Sequence, residues 1–265
     1  MIVLRSKSEV GAMRRAGDLV ARALGELQPH IRPGARLRDL DRLVEEFIVS
    51  EGAVTVYKGY RPNPSVPPFP ATICTAVNEE IVHGIPGRRR LRGGDIVGID
   101  IGAILDGWVG DTCYTFPVGE VSPEASKLLQ VARECLEAAV SEVRPGKRFG
   151  DVGAAIQEIA ENHGYGVVRE LGGHGVGREL HEEPHINHFG HRGHGMRLRE
   201  GMTFTIEPMI NADSPGIRMM KDGWTIVTED GGLSAQYEHS IAVTSDGCEI
   251  LTPWYEYVDG AAENA

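Results

Sequence analysis

Apolar residues recur at helical spacing in two stretches that resemble each other. In RPGARLRDLDRLVEEFIVSEG, from Arg32 to Gly52, they include Leu40, Val44 and Phe47. In RPGKRFGDVGAAIQEIAENHG, from Arg144 to Gly164, they include Val152, Ile156 and Ile159. Residues three and four apart share one face of a helix, so each stretch predicts an amphipathic helix buried along one side. A Pro-Gly turn leads into each copy and a glycine stops it. At an offset of 112 residues seven positions are identical, among them Arg36/Arg148, Asp39/Asp151 and Glu46/Glu158. Such a pattern favours duplication over chance. Another helical segment precedes each copy, Ser8 to Leu27 and Pro123 to Val143, and a β-rich stretch follows each. The expected fold class is α/β in the α+β sense. Two related halves, about 1–120 and 121–265, would make a single domain over residues 1–265.

The β-rich stretches alternate differently. DIVGIDIGAILDGWVGDTCYTFPV carries Asp106-Gly107 in its middle, a hairpin signal. If that pair is a two-residue turn, facing positions sum to 213: Leu105 opposite Trp108, Gly102 opposite Asp111, Asp100 opposite Cys113. Strand side chains alternate between faces, so Asp100, Gly102 and Asp111 share one. The two aspartates are then diagonal neighbours, within the ~7–8 Å such pairs span. Gly102 is expected to leave open space between them. Two carboxylates aimed at one gap repel unless a cation fills it. The strand around Asp100 is largely apolar, where an unpaired carboxylate is costly. The second half adds Glu207, ending the strand in TFTIEP, and Glu238 in AQYEHSIAV, on the face of Gln236 and Ser240. A lone strand glutamate is ordinarily solvent-facing. Four carboxylates in matching regions of repeated halves instead suggest a two-metal site at the interface.

GGHGVGRELHEEPHINH contains HEEPH, which fits the H-E-x-x-H pattern of single-zinc peptidases. That chemistry needs both histidines on one face of a regular helix. Pro184 falls inside the interval and costs ~3 kcal/mol in a helix interior. Glycines at 172, 173, 175 and 177 weaken any helix upstream. The better expectation is an irregular glycine-rich segment presenting His174 as a nitrogen ligand and His181 as a nearby donor. GHGVG also fails the dinucleotide fingerprint, lacking its final glycine. His185, His188, His191 and His194, interleaved with Gly and Arg, read as a solvated loop. His83, in NEEIVHGIP, is pinned at a turn from which it can face a cleft. RPNPSVPPFP, with five prolines, reads as a surface loop.

The chain is 265 residues long and 41% hydrophobic, enough for a sizeable core, and its formal net charge of -11 disfavours nucleic-acid binding. Cys74, Cys113, Cys135 and Cys248 form no C-x-x-C pair, so reduced thiols in a cytoplasm are expected. No signal-like segment and no run approaching ~20 apolar residues is visible, so neither export nor a membrane partner is expected. The tail VDGAAENA is expected to fray.

NEEIVHGIP, GIDIGAILDGWVGDTCYTF, GGHGVGRELHEEP, GMTFTIEPM and DGWTIVTEDGGLSAQYEHSIAVT resemble, in order and spacing, the type 1 methionine aminopeptidases in their short bacterial form. Each motif is moderately specific; five in order, spanning about Ser8 to Thr252, are highly specific. The resemblance implies a pseudo-two-fold "pita-bread" fold, an antiparallel sheet covered by helices from both halves. It implies two divalent metal ions (Co, Mn, Fe(II) or Zn) on Asp100, Asp111, His174, Glu207 and Glu238. Hydrolytic removal of an N-terminal methionine would proceed through a water or hydroxide bridging the ions. Glu207 would be the general base, His181 would stabilise the oxyanion, and His83 would contact the substrate amide. Tyr57, Tyr60, Cys74 and Trp224 would line the methionine pocket, with His83 and His181 also touching substrate. The implied partners are N-terminal methionine peptides and nascent polypeptides, with the ribosome as a candidate docking partner and the enzyme itself a monomer. Two departures stand out. Leu180 occupies a position that is often aromatic in the family, which loosens that wall. The proline-rich run before Phe69 reads as an insertion at the pocket rim. Competing expectations are an Xaa-Pro peptidase on the same fold and a non-enzymatic binding protein that would have lost its ligands.

Overall fold

Four α-helices pack on antiparallel strands in residues 2–260, the part described by the structure, a computed structural model. The helices are α1 (Lys7–Leu27), α2 (Leu37–Ser50), α3 (Pro123–Ser141) and α4 (Phe149–Asn162). Both ends of α4 lie 112 residues after those of α2, so the sequence repeat is also a backbone repeat. The flanking glycines agree: φ is +89° at Gly34 and +92° at Gly146, +76° at Gly52 and +78° at Gly164. That left-handed region is the one glycine enters without a steric cost. Ser6 and Glu9 form a capping box on α1, and the Ser122 hydroxyl accepts from Ala125 N at the start of α3.

The strands are β1 (Val54–Thr55), β2 (Ile73–Val77), β3 (Glu80–Val82), β4 (Ile96–Leu105), β5 (Trp108–Pro117), β6 (Gly166–Val167), β7 (Gly172–Gly175) and β8 (Glu182–Asn187). They continue with β9 (Thr203–Ile206), β10 (Met209–Asn211), β11 (Ile217–Met219), β12 (Ile226–Thr228), β13 (Ser234–Gln236), β14 (His239–Val243) and β15 (Cys248–Ile250). The first half contributes β1-β4-β2 with β5 on β4; the second contributes β15-β14-β9-β7-β8 and β13-β10-β6, while β11-β12-β3 joins strands of both. The arrangement is the expected pita-bread fold, helices over antiparallel sheets. One buried core draws on all four helices and on strands of both halves, from Leu24 and Ile99 to Val152 and Phe204.

The β4–β5 register follows from its turn. Asp106 and Gly107 both take positive φ, and Leu105 pairs with Trp108, Gly102 with Asp111, Asp100 with Cys113. In the second half, Ile206 pairs with His239 and Met209 with Gln236. Both sums are 445, so β9–β10 and β13–β14 are one long ladder, interrupted where Glu207 faces Glu238. Pro208 cannot donate to such a ladder, which explains the break. Glu238 therefore sits between two strands, not inside one as expected. This break is sewn to β5 of the other half: Glu238 N donates to Cys113 O at 2.9 Å, Thr112 Oγ1 to Glu238 O at 2.7 Å, and Ser240 Oγ to Asp111 O at 2.8 Å.

HEEPH is not helical. It starts just before β8 and ends inside it, with a cis Glu183–Pro184 bond. The glycine-rich segment is also less irregular than expected: β7 pairs with β8, His174 opposite His185, with a bulge after His174. His191 and His194 are exposed, but His188 is 1% exposed and belongs to the core, correcting the solvated-loop expectation for that residue. The proline-rich segment 61–70 has no helix or strand and is mostly exposed. At the tail Val258 is buried against the core, while 261–265 lie outside the described residues.

Candidate metal centre and peptide cleft

A cleft of about 560 Å³ opens between the halves. The structure brings every site residue named from the sequence to its lining: Asp100, Asp111, His174, Glu207 and Glu238, with His83, His181, Tyr57, Tyr60, Cys74 and Trp224. β4 supplies Asp100, β5 Asp111 and β7 His174, while the break in the second ladder supplies Glu207 and Glu238. His174 Nε2 lies 3.6 Å from Asp111 Oδ2 and 3.6 Å from Glu207 Oε1. Donor atoms of Asp111, His174 and Glu238 all fall within 4.8 Å of one another. The other ring nitrogen of His174, Nδ1, is 3.0 Å from Gly175 O. A proton there donates to that carbonyl and leaves the Nε2 lone pair facing the acids, as in metal-binding imidazoles whose other nitrogen is held by a carbonyl. Glu207 is held by the Thr205 hydroxyl at 2.8 Å and Gln236 Nε2 at 3.2 Å.

Gly102 does not open a gap between the aspartates, as expected from the hairpin. Its missing side chain makes room for Val56 and the ring of Tyr57. The Tyr57 hydroxyl lies within hydrogen-bond distance of both Asp100 and Asp111; its single proton goes to one of them, and the other contact needs a proton on that carboxyl. Tyr57 thus joins the aromatic wall of the cleft to the acid cluster.

Electrostatically the cluster asks for cations. Burial, foremost, pushes the carboxyls of Asp100, Glu207 and Glu238 well up, and the charges of the other acids push them further. Burial raises Asp111 to about 6, although the Tyr57 hydrogen bond and His181 pull the other way. No lysine or arginine is among the described residues lining the cleft. Protons or cations must balance the charge, and four carboxylates plus one imidazole suit divalent ions that accept oxygen-rich donors. Burial also lowers His174 and His83 to about 4, so both rings are neutral at pH 7, the form in which imidazole binds metal. His83 sits at φ +58°, its ring edge-on to Trp224 at 6.4 Å. The His181 ring stands 4.2 Å from that of His174, and its Nδ1 is 2.7 Å from the Tyr60 hydroxyl.

Sequence reasoning missed three residues. Phe69 is 2% exposed and edge-on to both Tyr57 and Trp224, at 6.5 and 5.2 Å between centroids. An aromatic ending a proline-rich run was the available signal. His188 Nε2 accepts Glu207 N–H at 3.2 Å, fixing the backbone of a candidate ligand. In the sequence Gln236 stands out only by sharing a face with Glu238; in the structure its amide holds Glu207.

The profile of metallopeptidase family M24 matches residues 11–245. Methionine aminopeptidase 1 of Bacillus subtilis is 47% identical over 252 residues, covering 95% of this chain and 99% of that protein. The crystal structure of methionine aminopeptidase from Rickettsia prowazekii superposes with a TM-score of 0.92 at 43% identity, covering 95% of this chain and 100% of that one. The prolidase of Pyrococcus horikoshii shares the fold at a TM-score of 0.75 and 24% identity, but this chain covers only 64% of it.

Proposed function

This chain belongs to metallopeptidase family M24, and on that footing we propose how its residues carry out the metal-dependent removal of an N-terminal methionine from peptides and new proteins. The observation that carries the reading is the acid cluster. Carboxylates from both halves and the Nε2 of His174 meet in a cleft with no lysine or arginine among its described lining residues, beside an aromatic and sulfur-lined wall. Asp100, Asp111, His174, Glu207 and Glu238 would hold two divalent ions. When bound, such ions supply Lewis acidity and lower the pKa of a water to near neutrality.

The protein's own groups do the rest. The substrate's free amino terminus is drawn to the acidic end of the cleft, which makes the activity that of an exopeptidase. Its methionine side chain packs against Tyr57, Phe69, Cys74 and Trp224, where a thioether meets aromatic edges favourably. Glu207, held by Thr205 and Gln236, takes the proton from the attacking water and hands it to the leaving amine. His181 donates to the oxygen on which charge develops, and His83 contacts the scissile amide. We assign the ions to the group Mn, Fe(II), Co and Zn, the setting to the cytoplasm, and the working form to a monomer that meets nascent chains at the ribosome. No helix among the described residues is long and apolar enough to cross a membrane.

Asp111→Asn tests the reading. The variant is expected to lose at least about 100-fold in Met-Ala-Ser cleavage and to bind less metal, because it removes a charge shared by the cluster. Unchanged metal content and turnover would remove Asp111 from the site.

A further inference from the structure

We propose that Tyr60 is a positioning residue that sets the tautomer of His181, and that the proline-rich loop holds Tyr60 in place to do so. The kinetic consequence rests on the aminopeptidase reading above; the tautomer itself does not. Tyr60 was expected in the methionine pocket. Its ring does line the cleft, but its hydroxyl lies 2.7 Å from His181 Nδ1 and has no other hydrogen-bond partner among the described residues. The two rings are 5.4 Å apart, tilted by 42°.

The loop is built as a closed neck. Gly59 N donates to Phe69 O at 2.8 Å, Phe69 N donates to Tyr60 O at 2.8 Å, and Tyr60 N donates to Tyr57 O at 2.8 Å. On the far side Trp224 Nε1 donates to Pro67 O at 2.9 Å. The backbone of Tyr60 is therefore pinned where the loop begins, and its side chain is aimed across the cleft mouth.

A neutral imidazole carries one N–H and a phenol carries one O–H. When the Tyr60 hydroxyl donates to Nδ1, the ring proton of His181 must sit on Nε2. Only in that tautomer can Nε2, on the opposite side of the ring, donate to an oxygen that gains charge. In the other tautomer Nε2 is a lone pair that would repel it. Tyr60 acts through His181 and does not itself touch the reacting atoms.

The test is Tyr60→Phe, which keeps the ring and removes the hydroxyl. Nitrogen-15 spectra of zinc-loaded, histidine-labelled protein read the tautomer directly, with His181→Gln identifying the resonances by their loss. In the wild type, His181 Nε2 is expected to be the protonated, pyrrole-like nitrogen and Nδ1 the pyridine-like one. In Tyr60→Phe the two shifts should move toward each other as both tautomers populate. On Met-Ala-Ser, kcat should fall about 5- to 20-fold with KM within about twofold, the signature of an interaction used mainly in the transition state. A wild-type proton on Nδ1 would overturn the proposal, and so would shifts unchanged in Tyr60→Phe. If the wild type released no methionine at all, the aminopeptidase reading would fail, yet the nitrogen shifts would still decide the Tyr60–His181 pair.

Discussion

His188 shows how a single side chain outside the ligand set can govern it. Its Nε2 accepts the backbone N–H of Glu207, so the neutral ring carries its proton on Nδ1, which is buried with no hydrogen-bond partner among the described residues. Replacing it with alanine leaves a buried N–H unpaired and a hole beside it. His188→Ala is expected to cost about 2–4 kcal/mol of stability and to loosen Glu207, lowering turnover as well. Thermal unfolding together with Met-Ala-Ser kinetics checks this; an unchanged melting temperature would mean that the contact is dispensable. The residue was misread in the sequence because a histidine every third position among glycines and arginines looks the same whether it faces water or the core. Asp100 and Asp111 were legible for the opposite reason. A two-residue turn fixes strand register, and register fixes which side chains meet. Tyr57 between them was not, since Val56 and Tyr57 follow the two-residue β1 and carry no periodic signal.

At the scale of elements, α1 lies against β5 with almost no clearance. A β-carbon on Gly110 would stand 2.2 Å from the carbonyl oxygen of Ala16, which is backbone and cannot swing aside. Gly110→Ala is expected to push α1 off the hairpin and cost about 1–3 kcal/mol or more, measured by denaturant unfolding. Because Asp111 is the next residue, metal affinity should drop in the same variant. A stability unchanged within error would show that the helix shifts freely. The helices themselves were readable, since α2 and α4 announce themselves by matched apolar spacing and matched glycine stops. The second ladder was only half readable. Its strands could be seen one by one, but the break at Pro208, which turns Glu207 toward Glu238, depends on pairing between segments about 30 residues apart.

For the whole molecule, the question is what holds the two halves together around a shared cluster of acids. The seam between Glu238 and β5 hydrogen-bonds them, but it also buries carboxyl groups that prefer to be neutral there. Asp111, raised by burial to about 6, has a higher pKa folded than unfolded. Its contribution favours folding below its unfolded value near 4 and is lost as pH rises through 6. Bound cations remove that penalty. The gain in melting temperature on adding Mn(II) to chelator-stripped protein should therefore be larger at pH 7.5 than at pH 5; a gain equal at both would contradict the cluster as the site of binding. The overall plan was legible from a repeat and five ordered motifs. How the loop 61–70 folds over the cleft was not, because prolines exclude helix and ladder without specifying what replaces them.

The most direct measurement is anomalous scattering from a crystal of the Mn(II)-loaded protein. Two peaks within coordination distance of Asp100, Asp111, His174, Glu207 and Glu238 are predicted, with carboxylates of both halves shared between them. Strong peaks elsewhere, or none among these five residues at saturating metal, would contradict it.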